Sequence, residues 1–299
     1  MRGNTRWQVN QALDELDNFG MSKHEIKLSM QESGIKDWHE IGQSTGIFHS
    51  RTKDSYRDAI LQFCNWAKAE YGIKDITKLD ANHASQWLEK KIFADGIALK
   101  TFNAYASALE KFSIGLEQLI GKEYNWSANI NQMREIAHNV CGNEHIDRAF
   151  KNPMAVIEAT SPEFRIYAEI QYFCGCRINE IHTLRIDDEG RYWVTGKGNY
   201  TREVFPPDNL KSQIITHIAE SGMGLTTKAE QDEYRNAIKS ACLQTGEHYS
   251  GSHSFRHNFS QEKFSSCLAE GKGYHRSLQE TSAALGHHRE DVVKIYYLK

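Results

Sequence analysis

Residues 253–259 read His253-Ser254-Phe255-Arg256-His257-Asn258-Phe259. His253 and Arg256 stand three apart, so one turn of helix presents an imidazole and a guanidinium to the same point. Together they are donors suited to phosphate oxygens. Taken alone, the pair reads equally well as a solvated helix face. What decides between the two readings is the company this segment keeps.

Upstream lies Gly175-Cys176-Arg177-Ile178-Asn179-Glu180-Ile181-His182-Thr183-Leu184. Ile178, Ile181 and Leu184 would face a core, and Arg177 and Glu180 are neighbours on one helical face. By itself this is an ordinary surface ion pair. The character of the chain then changes between Asp187 and Phe205. Tyr192-Trp193-Val194-Thr195, Gly196-Lys197-Gly198-Asn199 and Thr201-Arg202-Glu203-Val204-Phe205 predict a β-hairpin with Lys197 in its glycine-rich turn, ended by Pro206-Pro207. Downstream, Ser277 and Glu280 predict a capping box for a helix through Ala284. Leu285-Gly286-His287 predicts its glycine-capped end, and Tyr296 follows nine residues after His287.

The remainder reads as helix. Val9, Leu13, Leu16 and Phe19 make an amphipathic stripe with Gly20 as a stop, and Ser22–Ser33 reads as a second helix. Gly42–Ser50 reads as a loop and a boundary. Residues 48–122 form a regular helical block. In it, Tyr56, Ile60, Phe63, Cys64 and Ala67 share a face before Gly72. Asp80 caps the next helix, and Thr101 opens a long one through Tyr105, Leu109, Phe112 and Leu116. Residues 123–147 read as a connection with a helix around Asn131–Asn139. New helices begin at Pro153 and at Ser161-Pro162.

The 299 residues suffice for two domains. Apolar content of 39% and charged content of 25% are those of a globular protein. No apolar run approaches the roughly 20 residues of a membrane helix, and the first residues lack a signal peptide. A cytoplasmic location without membrane partners is the expectation. The six cysteines form no CxxC pair, which predicts reduced thiols and no zinc site. A net charge of −3 argues against a protein that coats DNA non-specifically, yet it permits local basic patches.

Arg177, the hairpin Lys197, His253-x-x-Arg256, Leu285-Gly286-His287 and Tyr296 come in the order and approximate spacing of a tyrosine recombinase catalytic domain. The chain resembles that family, the phage-integrase kind, over about residues 48–299. The helical block resembles the family's core-binding domain through Tyr56, Phe63, Trp66 and the Lys100-Thr101 helix start. The resemblance implies a mainly α fold with a small β-sheet in two domains. Residues 48–122 would be an all-α core-binding domain, 123–147 a linker and 148–299 a mixed α/β catalytic domain, after an N-terminal helical extension over 1–47.

What the resemblance implies of chemistry fits the residues. Arg177 and Arg256 would hold the non-bridging oxygens of a phosphodiester, with hydrogen bonds added by His253 and His287. Tyr296 would attack, forming a 3′-phosphotyrosyl link, as in type IB topoisomerases. Lys197 would protonate the leaving 5′-oxygen. Glu180 would orient Arg177 or a histidine from behind. No metal and no cofactor are implied.

The implied partners are a double-stranded DNA recombination site and further copies of the chain, a dimer on each site and a tetramer in the synapse. An accessory directionality factor is another. Arg51, Lys53, Lys90, Lys91, Lys100, Thr101, Arg202 and Lys211 are candidate DNA contacts. Only three residues follow Tyr296, where many relatives carry a longer tail. Integration or excision of a mobile element is the expected task. A resolvase or invertase, and a non-cutting DNA-binding protein on the same fold, are the alternatives. A nuclease using His253, His257, His287 and His288 is disfavoured by the arginines beside them, which would repel a metal ion.

Overall fold

A computed structural model describes residues 1–142, 147–287 and 290–296, apart from the side chains of Trp38, His39, Gln43, Lys197, Ile295 and Tyr296. It divides into two compact units, Met1–Glu144 and His145–Lys299.

The first unit is all helical. Its helices are α1 (Thr5–Asp14), α2 (Lys23–Glu32), α3 (Trp38–Ser44), α4 (Ser50–Tyr71), α5 (Ala81–Phe93), α6 (Leu99–Ile120) and α7 (Ser127–Val140). Local signals set most of the ends. The Asn4, Ser22 and Asp80 side chains accept backbone N–H groups at the starts of α1, α2 and α5. Gly72 and Gly121 close α4 and α6 in the left-handed conformation. Phe63, Trp87, Phe102, Phe112 and Trp126 fill the core between α4, α5, α6 and α7.

This unit differs from the sequence-based reading at several points. Residues 1–47 do not form a separate extension, because Val9, Ala12 and Leu13 of α1 are buried in the same core. A Cβ at Gly115 on α6 would stand 2.1 Å from the Ala12 carbonyl, so the two backbones touch there. The helix expected around Asn131–Asn139 is α7, which starts earlier, at Ser127, and buries Ile130, Met133 and Ala137. The expected loop from Gly42 begins inside α3, and the long helix opens at Leu99 instead of Thr101.

The second unit carries α8 (Pro153–Ala159), α9 (Pro162–Cys174), α10 (Ile178–Ile181), β1 (Arg185–Ile186), β2 (Tyr192–Thr195) and β3 (Thr201–Val204). It continues through α11 (Asp208–Ser221), α12 (Lys228–Thr245), α13 (Ser254–Ala269), α14 (Tyr274–Ala284) and α15 (Glu290–Tyr296). The strands form an antiparallel sheet in the order β1-β2-β3, with Val194 opposite Arg202 and Tyr192 opposite Val204. Ile157, Ile170, Ile181, Val194, Ile238 and Phe255 lie in the core. Val293 of α15 is buried against Leu278 and Leu285, with Val292 beside it.

The expected capping box at Ser277 and Glu280 does not form. Helix α14 starts earlier, at Tyr274, and Ser277 lies within it and bonds back to the Gly273 carbonyl at 3.1 Å. Glu280 is held instead by Lys272 and Arg276. All six cysteines are free thiols, five of them buried. Among the described residues no helix is long and apolar enough to cross a membrane.

Candidate functional site

The site grows from a single tight turn. Helix α9 ends at Cys174, and Gly175 caps it at φ +61°, in the left-handed region. A Cβ there would come within 2.4 Å of the Phe259 ring, so glycine is required twice, for backbone and for space. The turn is pinned from within: the Tyr234 hydroxyl donates to Gln171 Oε1 at 2.7 Å, and Gln171 Nε2 donates to the Cys176 carbonyl at 3.1 Å.

The turn delivers Arg177 to the start of α10. Its backbone N–H donates to Glu180 Oε2 at 3.0 Å, and its guanidinium donates to Glu180 Oε1. Glu180 is only 2% exposed and lies among three arginines. Burial pushes its carboxyl up, but Arg256, Arg202 and Arg177 outweigh that and hold it below the usual range. It is therefore a carboxylate at neutral pH, and it fixes the guanidinium planes around it.

Arg256, on α13, is fully buried. It donates to the carbonyls of Gly175 and Leu285, which joins the end of α9 to the end of α14. Arg177 Nη2 lies 3.1 Å from His287 Nε2, and Arg256 Nη2 lies 3.3 Å from the same atom. A guanidinium can only donate, so Nε2 accepts from both, and the ring proton belongs on Nδ1. Burial first, then the charges of Arg256 and Arg177, depress His287 to about 4. The neutral imidazole thus occupies the point on which the two arginines converge.

His253 precedes α13 at its cap position. Burial, then Arg256, His257, Arg148 and Arg177, depress it to about 3, so it too is neutral at pH 7. Its ring meets that of His257 edge to face at 5.5 Å. Lys197 lies in the turn between β2 and β3, and Tyr296 is the last described residue of α15. The side chains of both lie outside the described residues, as do Tyr297 and His288 entirely.

Arg202 corrects the sequence reading. As a candidate DNA contact it should be exposed, yet it is 7% exposed. Strand alternation puts Arg202 and Val204 inward and Thr201 and Glu203 outward. Its guanidinium donates to the Ala284 carbonyl at 2.8 Å, to the Cys174 and Gly175 carbonyls at 3.3 Å each, and to Glu180 Oε2 at 3.0 Å. Arg202 therefore ties the hairpin to the arginine cluster. An arginine at an inward strand position, two residues from Val204, was the available signal.

Lys53 is likewise drawn inside the chain, its ammonium 2.5 Å from both Asp14 and Asp17, which clamps α4 to α1. Lys91 pairs with Asp95 at 2.7 Å and lies 5.3 Å over the Trp87 ring. Lys90 and Lys211 pair with Asp95 and Asp208 at the surface. Arg51, Lys100 and Thr101 are exposed. No group of three His, Cys, Asp or Glu side chains among the described residues is placed to hold a metal ion.

A helical unit followed by a mixed unit with a three-stranded sheet is the tyrosine recombinase fold, and the chain has it. A lambda integrase dimer bound to a COC′ core site matches with a TM-score of 0.56 at 14% identity, over 92% of this chain and 75% of that one. A lambda integrase tetramer bound to a Holliday junction matches at 0.56 and 15%, over 95% and 79%. The Tn1549 transposon integrase in complex with a circular intermediate DNA matches at 0.54 and 11%, over 93% and 95%. At such identities the likeness is one of fold. No protein-family model matches the sequence, and no curated protein sequence does.

Proposed function

We propose that the chain is a site-specific DNA recombinase that cuts and rejoins duplex DNA through a covalent 3′-phosphotyrosyl link, and that its task is integration or excision of a mobile element. The observation that carries this reading is the convergence of Arg177 and Arg256 on one acceptor atom, His287 Nε2. Two guanidiniums held in place by a buried carboxylate suit the non-bridging oxygens of a phosphodiester.

In this reading a phosphate oxygen takes over the acceptor position of Nε2. His287 and His253, both neutral, then turn donor nitrogens toward the phosphate. Tyr296 attacks phosphorus, and the bond to the 5′-oxygen breaks. Lys197 gives that oxygen its proton. A free tyrosine is ionised only about once in a thousand at pH 7, so the Tyr296 proton passes to a base as the bond forms. His253 has an acceptor nitrogen for it, and incoming negative charge raises its basicity. Attack by a 5′-hydroxyl reverses these steps and reseals the strand, so no external energy is required. The arginines and the lysine supply the positive charge that a metal ion supplies elsewhere.

The partners in this reading are a duplex recombination site and further copies of the chain, two per site and four in the synapse, with an accessory directionality factor setting outcome. The dimer and tetramer forms of the lambda integrase neighbours support this. Arg51, Lys100 and Thr101, with Lys90 and Lys211, are the DNA contacts proposed. The test uses nicked duplexes drawn from the DNA flanking the protein's own gene, in EDTA and without nucleotide. An SDS-resistant protein–DNA adduct is expected. Adduct formation that vanishes on chelation and returns with magnesium or zinc would overturn the mechanism.

A further inference from the structure

Early in the second unit, residues 147–152 form a short strap fastened to α13 and to the chain just past α12. The Phe150 N–H donates to Asn258 Oδ1 at 3.0 Å, and Asn258 Nδ2 donates back to the Phe150 carbonyl at 2.8 Å. The Phe150 ring is buried against Phe255, with centroids 4.8 Å apart. Glu247 accepts the N–H groups of Lys151 at 3.1 Å and Asn152 at 2.7 Å. Asp147 accepts from the Ala149 N–H at 2.9 Å and from Gln261 Nε2 at 3.1 Å.

This strap carries Arg148 to the loop that leads into α13. The guanidinium donates to the Ser250 carbonyl, and its Nη2 stands 3.5 Å from where a Cβ on Gly251 would be. Gly251 lies two residues before His253. After burial, Arg256 and His257, it is Arg148 that depresses His253 most, ahead of Arg177. Arg148 is nevertheless exposed. One carbonyl cannot occupy the five N–H donors of a guanidinium, so donors remain at the surface beside the His253 end of the arginine cluster.

We propose that Arg148 grips the DNA phosphate next to the one that is cut, and so holds the strand in register for attack. This role presupposes the recombination reading above. A strand whose scissile phosphate sits at His253 and Arg256 carries a further phosphate one nucleotide away on either side. The guanidinium fork suits the paired oxygens of such a group. Because the strap is already ordered by Asn258, Glu247 and Phe255, little freedom is lost on binding, and the contact contributes to affinity. The competing role is that of a staple, with Arg148 serving only to hold the loop at Ser250.

The test compares wild type with Arg148→Met and Arg148→Gln. Glutamine keeps an N–H donor for the Ser250 carbonyl but has no charge. Affinity for the nicked duplexes that yield the adduct is measured over a series of salt concentrations. Both variants should bind about tenfold more weakly, the order of one lost charge-assisted hydrogen bond. The slope of log affinity against log salt should become shallower by about one. A neutral methylphosphonate is then placed singly at each phosphate flanking the mapped cleavage position. At one of them wild type should lose about tenfold in affinity and the variants less than about twofold, because the partner is already gone. Wild-type behaviour of Arg148→Gln would make the residue a staple and overturn the proposal. An unchanged salt slope, or equal losses in wild type and variants at both flanking positions, would overturn it too. A salt slope that depends on Arg148 without any adduct from wild type would count against the recombination chemistry, not against the phosphate contact.

Discussion

Replacing Arg202 by methionine should loosen the whole second unit. Methionine refills much of the alkyl volume but removes a charge, itself only 7% exposed, that meets Glu180 at 3.0 Å and three carbonyls. Removing one partner of a buried ion pair typically destabilises by about 3–5 kcal/mol. Two features place this case at the low end. Glu180 keeps its bonds from Arg177 and its contact with Arg256 at 3.6 Å, and the Gly175 carbonyl keeps its bond from Arg256. The Ala284 carbonyl is left without its 2.8 Å donor. The expected loss is about 3 kcal/mol, or a fall of roughly 6–12 °C in the melting temperature of a unit this size.

The assay is hydrogen exchange of α13 and α14 amides in the full chain, which isolates this unit from the other. Glu180 adds a pH signature. Its folded-state pKa is lowered, so its contribution is present at neutral pH and lost as pH falls through the acid range. Arg202→Met shrinks that contribution, so the gap between variant and wild type should narrow on acidification. A double-mutant cycle with Glu180→Gln should show coupling of about 1–3 kcal/mol. A loss below about 1 kcal/mol, with no coupling, would refute the view that Arg202 holds the cluster together.

Other outcomes follow from the same geometry. His253 and His287 should titrate by NMR near 3 and 4, since burial and the arginines depress both. Because the unfolded chain binds those protons first, stability should decline as pH falls from about 6.5 toward 4 and stay flat above 7; decline on alkalinisation would contradict the assignment. Gly175→Ala forces a Cβ to 2.4 Å from the Phe259 ring at φ +61°, so it should destabilise by at least about 2 kcal/mol; a neutral effect would show that the turn is not constrained. Arg177→Ala, at the more open edge of the cluster, should still bind DNA while adduct formation slows about 100- to 1,000-fold; loss of binding with normal chemistry would remove it from that role. Lys197→Ala should be slow on normal DNA and near wild type when sulfur replaces the bridging 5′-oxygen, a leaving group that needs no proton; equal defects on both substrates would place the acid elsewhere.

Much of this arrangement was legible in the sequence because it rests on local rules. Asp80, Gly72 and Pro162 mark helix ends through their own backbone preferences, and the alternation in 192–204 marks the strands. Arg177, Glu180, His253, Arg256 and His287 stood out as an ordered set, and the structure brings Arg177, Glu180, Arg256 and His287 into direct contact.

What escaped depends on partners far away in the chain. The stripe Val9-Leu13-Leu16 announces a buried face but not that α6 offers Gly115 to receive it. Arg202 looked like surface charge because nothing nearby reveals that Glu180 and the carbonyls of Cys174, Gly175 and Ala284 surround it. Ser277 and Glu280 matched a capping pattern, but Tyr274 to Arg276 extend the helix upstream, and Lys272 claims the glutamate.

The account depends most directly on which atom becomes joined to DNA. Tyr296 stands nine residues after His287 and three after Val293, a buried residue of α15, whereas Tyr297 is ten and four residues on in the sequence. The decisive measurement is peptide mapping of the adduct trapped on a nicked duplex, with Tyr296→Phe and Tyr297→Phe run beside wild type. The account predicts DNA on the peptide at Tyr296, no adduct from Tyr296→Phe despite retained binding, and a normal adduct from Tyr297→Phe. DNA on Tyr297 or on any other tyrosine, or an adduct that survives in Tyr296→Phe, would contradict it.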